Sequence, residues 1–195
     1  MKKNFKLISD PEFNMDNSGC LLWKTVVPNY EFVAQFNEVF GTDLTRMEEI
    51  SIFGNGEFPM FTYVDNVSQF LFFLIDNVEC KMDEALKEYD KIMIINGRDA
   101  FEKQIAIYND YYGEQSLWGF KDYLTKSHHE SVVAFRQIAT CVDYFNYKGS
   151  SENVLQVDKK RKNAKASTTS LSGKTSDIAE CMECLLFEIE KYYFK

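Results

Sequence analysis

The chain has 195 residues, 45% of them hydrophobic and 27% charged, with only 9 Gly and 3 Pro. That composition excludes collagen-like, low-complexity and wholly disordered chains, and the length suits one domain with a real core plus a small appendage. Lys and Arg number 22 against 30 Asp and Glu, a formal charge of −8, which argues against nucleic acid or anionic lipid as bulk-surface partners.

The longest purely apolar run covers residues 70–75. A membrane helix needs about 20 such residues, so no membrane partner is expected. Met1-Lys2-Lys3 begins like a signal peptide, but no apolar stretch develops before Ser9-Asp10-Pro11-Glu12. The expected setting is a soluble, cytoplasmic protein. Five cysteines, an odd number without a compact framework, fit reduced thiols better than a disulfide scaffold.

Residues 21–27 (Leu-Leu-Trp-Lys-Thr-Val-Val) read as a strand stopped by Pro28. Phe32, Val33, Phe36, Val39 and Phe40 then fall at helical spacing, with Asn29 as N-cap and Gly41 just past the end. Three strand-like runs follow, at 49–53, 60–64 and 69–75. Gly54-Asn55-Gly56 and Asp65-Asn66 supply turn chemistry between them, so the runs predict an antiparallel meander. The last run is apolar at nearly every position, which requires cover on both faces. A short helix over 83–88 leads to a strand over 91–96, closed by Gly97.

The second half reads as helices. Asp99-x-x-Glu102 forms a capping box opening a helix with Phe101, Ile105 and Tyr108 on one face. Leu117, Phe120 and Leu124 mark a second helix. Ser127-His128-His129-Glu130 is another capping box, and the spacing of Val132, Phe135, Ala139, Val142 and Phe145 predicts a third helix through all five. The expected fold class is α+β: an antiparallel β-meander in the N-terminal half, a helical C-terminal half packed with it, and a tethered C-terminal amphipathic helix.

Residues 148–176 change character. They carry seven basic residues and two acidic ones, leaving −13 on the rest of the chain. This stretch reads as a basic polar linker or long loop, between an acidic α+β domain over 1–147 and a docking helix over 177–195. Asp177-x-x-Glu180 is a third capping box. Beyond it Ile178, Met182, Leu185, Ile189 and Tyr192 fall on one helical stripe. The stripe suits docking onto the chain's own domain or packing against another chain, including self-association through this helix.

Candidate chemistry is sparse. Cys181-Met182-Glu183-Cys184 is the one CxxC, placed within a helix and without a second pair or a nearby His, so neither a metal nor a redox site is expected. His128 and His129 are the only histidines, and any His-based catalysis would need a nucleophile and an orienting carboxylate beside one of them. Gly54-Asn55-Gly56 lacks the Lys-Ser/Thr ending and following helix of a phosphate loop. Lys159-Lys160-Arg161-Lys162 and Lys165 form a solvated linker, a contact for nucleic acid or an acidic partner, or a targeting signal, but no interleaved aromatics are present to stack bases. No cofactor is implied.

Three segments carry a resemblance. The run 30–46, from Tyr30-Glu31-Phe32-Val33 to Gly41-Thr42-Asp43-Leu44-Thr45-Arg46, the pair Phe61-Thr62-Tyr63-Val64-Asp65 and Phe72-Phe73-Leu74-Ile75-Asp76-Asn77, and Leu86-Lys87-Glu88-Tyr89-Asp90-Lys91-Ile92-Met93-Ile94-Ile95-Asn96-Gly97 together resemble the IPExxxDY family of Bacteroidota. With Asp90 on the motif Asp, Leu86 stands for its Glu, Ala85 for its Pro and Lys91 for its Tyr. The likeness spans about residues 4 to 110 and implies a small bacterial protein without an assigned activity. It transfers no catalytic or binding residue.

These readings lead to a non-catalytic protein-binding or assembly protein: an adaptor, an immunity-type inhibitor of a basic toxin, or a bacterial or phage virion component. The alternatives are a small enzyme using His128 or His129, and nucleic-acid contact through residues 159–165.

Overall fold

The computed structural model describes residues 11–52, 54, 56–78, 82–114, 119–146 and 168–193. A mixed-order, wholly antiparallel sheet organises them. Its strands are β1 (Ser18–Thr25), β2 (Thr45–Arg46), β5 (Met60–Asp65), β6 (Phe70–Asp76), β7 (Lys91–Asn96) and β8 (Ala139–Asn146), in the order β2-β5-β6-β7-β1-β8. The short strands β3 (Ile50–Ser51) and β4 (Glu57–Phe58) pair separately. Helices α1 (Asn29–Phe40), α2 (Arg98–Tyr111), α3 (Gly119–Lys126), α4 (Glu130–Ile138) and α5 (Thr168–Tyr193) complete the chain. This is the expected α+β class.

Strand alternation sends side chains to two cores. From β6, Phe70, Phe72 and Leu74 face the helices α1 to α4, while Leu71, Phe73 and Ile75 face the other way. Met93 and Ile95 of β7 join the first set, Ile92 and Ile94 the second. The apolar run of β6 is therefore covered on both faces, as its composition requires. Trp23 anchors the first core, with Phe32, Phe36 and Phe135 ring centroids at 5.7, 6.5 and 5.5 Å in edge-on geometry. The second core holds Ile50 and Phe58 of the small hairpin, Met82, Leu86 and Tyr89 of the β6–β7 connection, and one face of α5. Asn77 fixes that connection: its buried amide donates to the Leu86 and Tyr89 carbonyls and accepts from the Met82 N–H.

Helix α1 ends where expected, with Gly41 in the left-handed region at φ 61°. The hydroxyls of Tyr108 and Tyr123 donate to the carbonyls of Phe40 and Val39, so α2 and α3 are tied to the end of α1.

Several expectations are corrected. The helix predicted through Val132, Phe135, Ala139, Val142 and Phe145 stops at Ile138, and the rest is strand β8, paired with β1. Apolar residues at intervals of three and four mimic a helix there, but Thr140, Val142, Tyr144 and Phe145 are strand formers, and β1 gains a second ladder from them. Of the run expected over 49–53, residues 49–52 lie outside the main sheet, with Ile50–Ser51 in the small hairpin, and residue 53 lies outside the described residues.

The capping boxes are displaced. Gly97 at φ 78° is the N-cap of α2, and the Asp99 N–H is taken by Asn17 Oδ1. His129 rather than Ser127 is the N-cap of α4. Helix α5 begins at Thr168, so Asp177 lies inside it, and the linker expected over 148–176 is helical from 168 onward. Pro28, not Asn29, precedes α1, and the Asn29 side chain is drawn to Asp76.

Candidate functional site

The helical stripe singled out in the sequence belongs to the second core. Ile178, Met182, Leu185 and Ile189 are buried against the chain's own sheet, with Tyr192 partly buried beside them. In this fold the stripe is not presented to a partner, because the sheet face carrying Leu71, Phe73, Ile92 and Ile94 already occupies it. The opposite face of α5 displays Phe187 and Cys184, with the Lys191 ammonium 4.3 Å above the Phe187 ring. Lys159, Lys160, Arg161, Lys162 and Lys165 lie outside the described residues.

Cys181 and Cys184 diverge, one buried and one exposed. Burial, followed by the Asp83 carboxylate, pushes the Cys181 thiol up to about 12, and burial also raises Cys20, so both are held as neutral thiols. Among the described residues no His, Cys, Asp and Glu side chains gather into a metal-holding group. Gly54 and Gly56 take positive φ values of 68° and 133° between β3 and β4, as a hairpin turn demands.

The two histidines sit at a corner where the end of α2 meets the start of α4. The His129 ring packs on Tyr112 with centroids 4.0 Å apart, and Tyr112 meets Tyr111 edge-on at 5.0 Å. His129 Nδ1 and Ser131 Oγ share a 2.7 Å hydrogen bond. Glu114 Oε1 accepts the His128 N–H at 2.5 Å, while Glu114 Oε2 is buried with no hydrogen-bond partner. The corner is braced from behind: the Arg136 guanidinium donates to the Thr125 and Ser127 carbonyls, both at 2.6 Å, and Ser127 Oγ accepts the His129 N–H.

This arrangement places a hydroxyl on an imidazole, but among the described residues it does not extend to a carboxylate. Glu114 bonds backbone, not the His129 ring, so no acid–imidazole–hydroxyl relay is assembled among the described residues. What the corner does offer is exposed aromatic surface. Ile107 is 60% exposed, Tyr111 81%, Tyr112 42% and Val133 37%. Helical spacing puts Tyr111 one turn beyond Ile107, and Val133 one turn beyond His129. Exposed carboxylates at Asp110 and Glu130 flank the two tyrosine and histidine positions.

His128 and His129 stand out in the sequence as its only histidines, whereas Tyr111 and Tyr112 do not, because aromatics are abundant and most of them build the core. A signal was present. At 100° per residue, Ile107 and Tyr111 lie about 200° and 240° around α2 from buried Ile105, away from the core face. Compared with family models, curated proteins and solved structures, the chain matches none.

Proposed function

We propose that this chain is a non-catalytic protein-binding or assembly protein, acting in the cytoplasm, whose docking surface is the aromatic corner between α2 and α4. The observation that carries the reading is the exposed Tyr111–Tyr112 pair, with the Tyr112 ring packed on the His129 ring. Tyrosine offers a large amphipathic contact area with few rotatable bonds, and it is enriched among the residues that dominate binding energy. The partner chemistry follows from charge. The chain outside 148–176 carries −13, and tyrosine faces beside carboxylates favour ammonium and guanidinium groups, so the partner is a protein segment rich in Lys and Arg. An adaptor, an inhibitor of a basic toxin and a virion component all accommodate this role.

Titration calorimetry with an arginine-rich peptide tests it. Tyr111→Ala and Tyr112→Ala should each weaken binding by about 2 kcal/mol, roughly thirtyfold, with the fold intact. Binding unchanged in both variants would overturn the assignment.

A second reading, a small enzyme, draws on the His129–Ser131 hydrogen bond. A fluorophosphonate probe that labels Ser131, with labelling lost in His129→Ala, would support it. Absence of label would leave His129 as part of the docking surface.

A further inference from the structure

The aromatic corner carries both histidines of the chain, and histidine is the side chain that ordinarily changes charge between about pH 5 and 8. His129 is the one built into the surface: its ring centroid lies 4.0 Å from that of Tyr112, the planes inclined by 49°. Its Nδ1 shares the 2.7 Å hydrogen bond with Ser131 Oγ. A hydroxyl can donate or accept, so this bond serves the neutral ring and the protonated one alike, and the ring can gain a proton in place. The charged and titratable groups around it come from each neighbouring element. Asp110 and Tyr112 stand at the end of α2, Glu114 follows it, and His128 precedes the ring. Asp122 and Lys126 of α3 pair with each other at 2.6 Å, and α4 contributes Glu130 and Arg136. Helix α1 meets α4 through Phe32 and Phe36 on Phe135, with its acid Glu38 exposed.

We infer that protonation of His129 releases the basic partner, so that the corner binds it in mildly alkaline solution and lets it go in mildly acidic solution; this rests on the docking reading above. An imidazolium 4.0 Å from the Tyr112 centroid is itself a cation on that ring, and it takes up the attraction that a guanidinium of the partner would use. It also repels a second cation placed within a few ångströms. Among the described residues the ring is hydrogen-bonded to Ser131 and not to a carboxylate, so that bond does not neutralise the added charge. Carboxylates ordinarily titrate near about pH 4 and arginine stays charged throughout, so a loss of binding between about pH 8 and 5.5 points to a histidine. The contact with Tyr112 makes that histidine His129, whereas His128 meets Glu114 through its backbone N–H.

The test uses the full chain and an arginine-rich peptide in titration calorimetry. Affinity should be roughly tenfold lower at about pH 5.5 than at about pH 8. Midway between them, binding should release protons, read as a heat that varies with the ionisation enthalpy of the buffer. His129→Phe keeps a ring against Tyr112 but cannot take a proton; it should bind equally at both pH values and release none. His128→Gln should behave as the parent chain does. Equal affinity of the parent chain at both pH values would overturn the inference while leaving the docking reading in place, and so would a pH dependence that survives in His129→Phe. Peptide binding that is absent at the higher pH, or indifferent to Tyr112→Ala, would overturn the docking reading and this inference with it.

Discussion

Lys91 Nζ lies 2.7 Å from Asp76 Oδ1, and the two side chains are 2% and 11% exposed at the end of the sheet beneath the start of α1. They face each other across β6 and β7, with Trp23 opposite Lys91 on β1. Asp76 is further held by the Asn29 side chain at 2.5 Å on Oδ2 and by the Val78 N–H on Oδ1. A single charge at this depth would be costly, but the pair is close and hydrogen-bonded.

Removing one partner should therefore cost more than removing both. Asp76→Ala leaves a buried ammonium and should lower stability by about 3–5 kcal/mol in urea unfolding. The double variant Asp76→Leu with Lys91→Met should recover most of that loss. A double variant as unstable as Asp76→Ala would show that the site is set by packing alone.

Gly97 is required by its backbone and by its surroundings. Its φ is 78°, and a Cβ there would stand 2.4 Å from the Gln69 carbonyl oxygen and 2.9 Å from the Phe70 Cα. Both contacts are backbone and cannot swing away. Gly97→Ala should destabilise the chain by more than about 1 kcal/mol, read as a lower urea midpoint with unchanged slope.

Two residues two positions apart on α5 should respond in opposite ways. Leu185 is fully buried in the second core, whereas Phe187 is half exposed. Leu185→Ala should cost about 2–5 kcal/mol, and Phe187→Ala should stay within about 0.5 kcal/mol. Equal effects would contradict the docking of α5 onto the sheet.

The thiols give a pH dependence. Cys181 in the folded chain sits at about 12 against an ordinary value of 9.0. Above pH 9.0 the unfolded chain loses a proton that the folded chain keeps, so stability falls as pH rises through that range. Cys181→Ala should flatten the alkaline fall in denaturant midpoint. Near neutral pH, a thiol reagent followed by peptide mapping should modify exposed Cys184 and spare Cys20 and Cys181.

Local patterns in the sequence were reliable where local physics decides. The α1 stripe with Gly41 at its end, the two-sided burial of β6 and the apolar face of α5 were all legible from spacing and composition. What failed was set by distant partners. Asn17 takes the amide that the Asp99 capping box was expected to manage, from 82 residues away. Strand β8 owes its conformation to β1, which lies more than a hundred residues earlier, so helical spacing over 132–145 misled. The corner was half legible: the histidines stood out as rare residues, but Tyr111 and Tyr112 did not among 17 Phe and 11 Tyr. Only their exposure separates them from the core.

The most direct test of the account is an NMR titration of the full chain with an arginine-rich peptide, alongside an uncharged peptide of equal length. Docking at the corner predicts shifts centred on Tyr111, Tyr112, Glu114 and His129 with the basic peptide alone, weakened by added salt and lost in the Tyr111→Ala, Tyr112→Ala double variant. Shifts scattered over the acidic surface, or shifts at the corner that persist in the double variant, would contradict it.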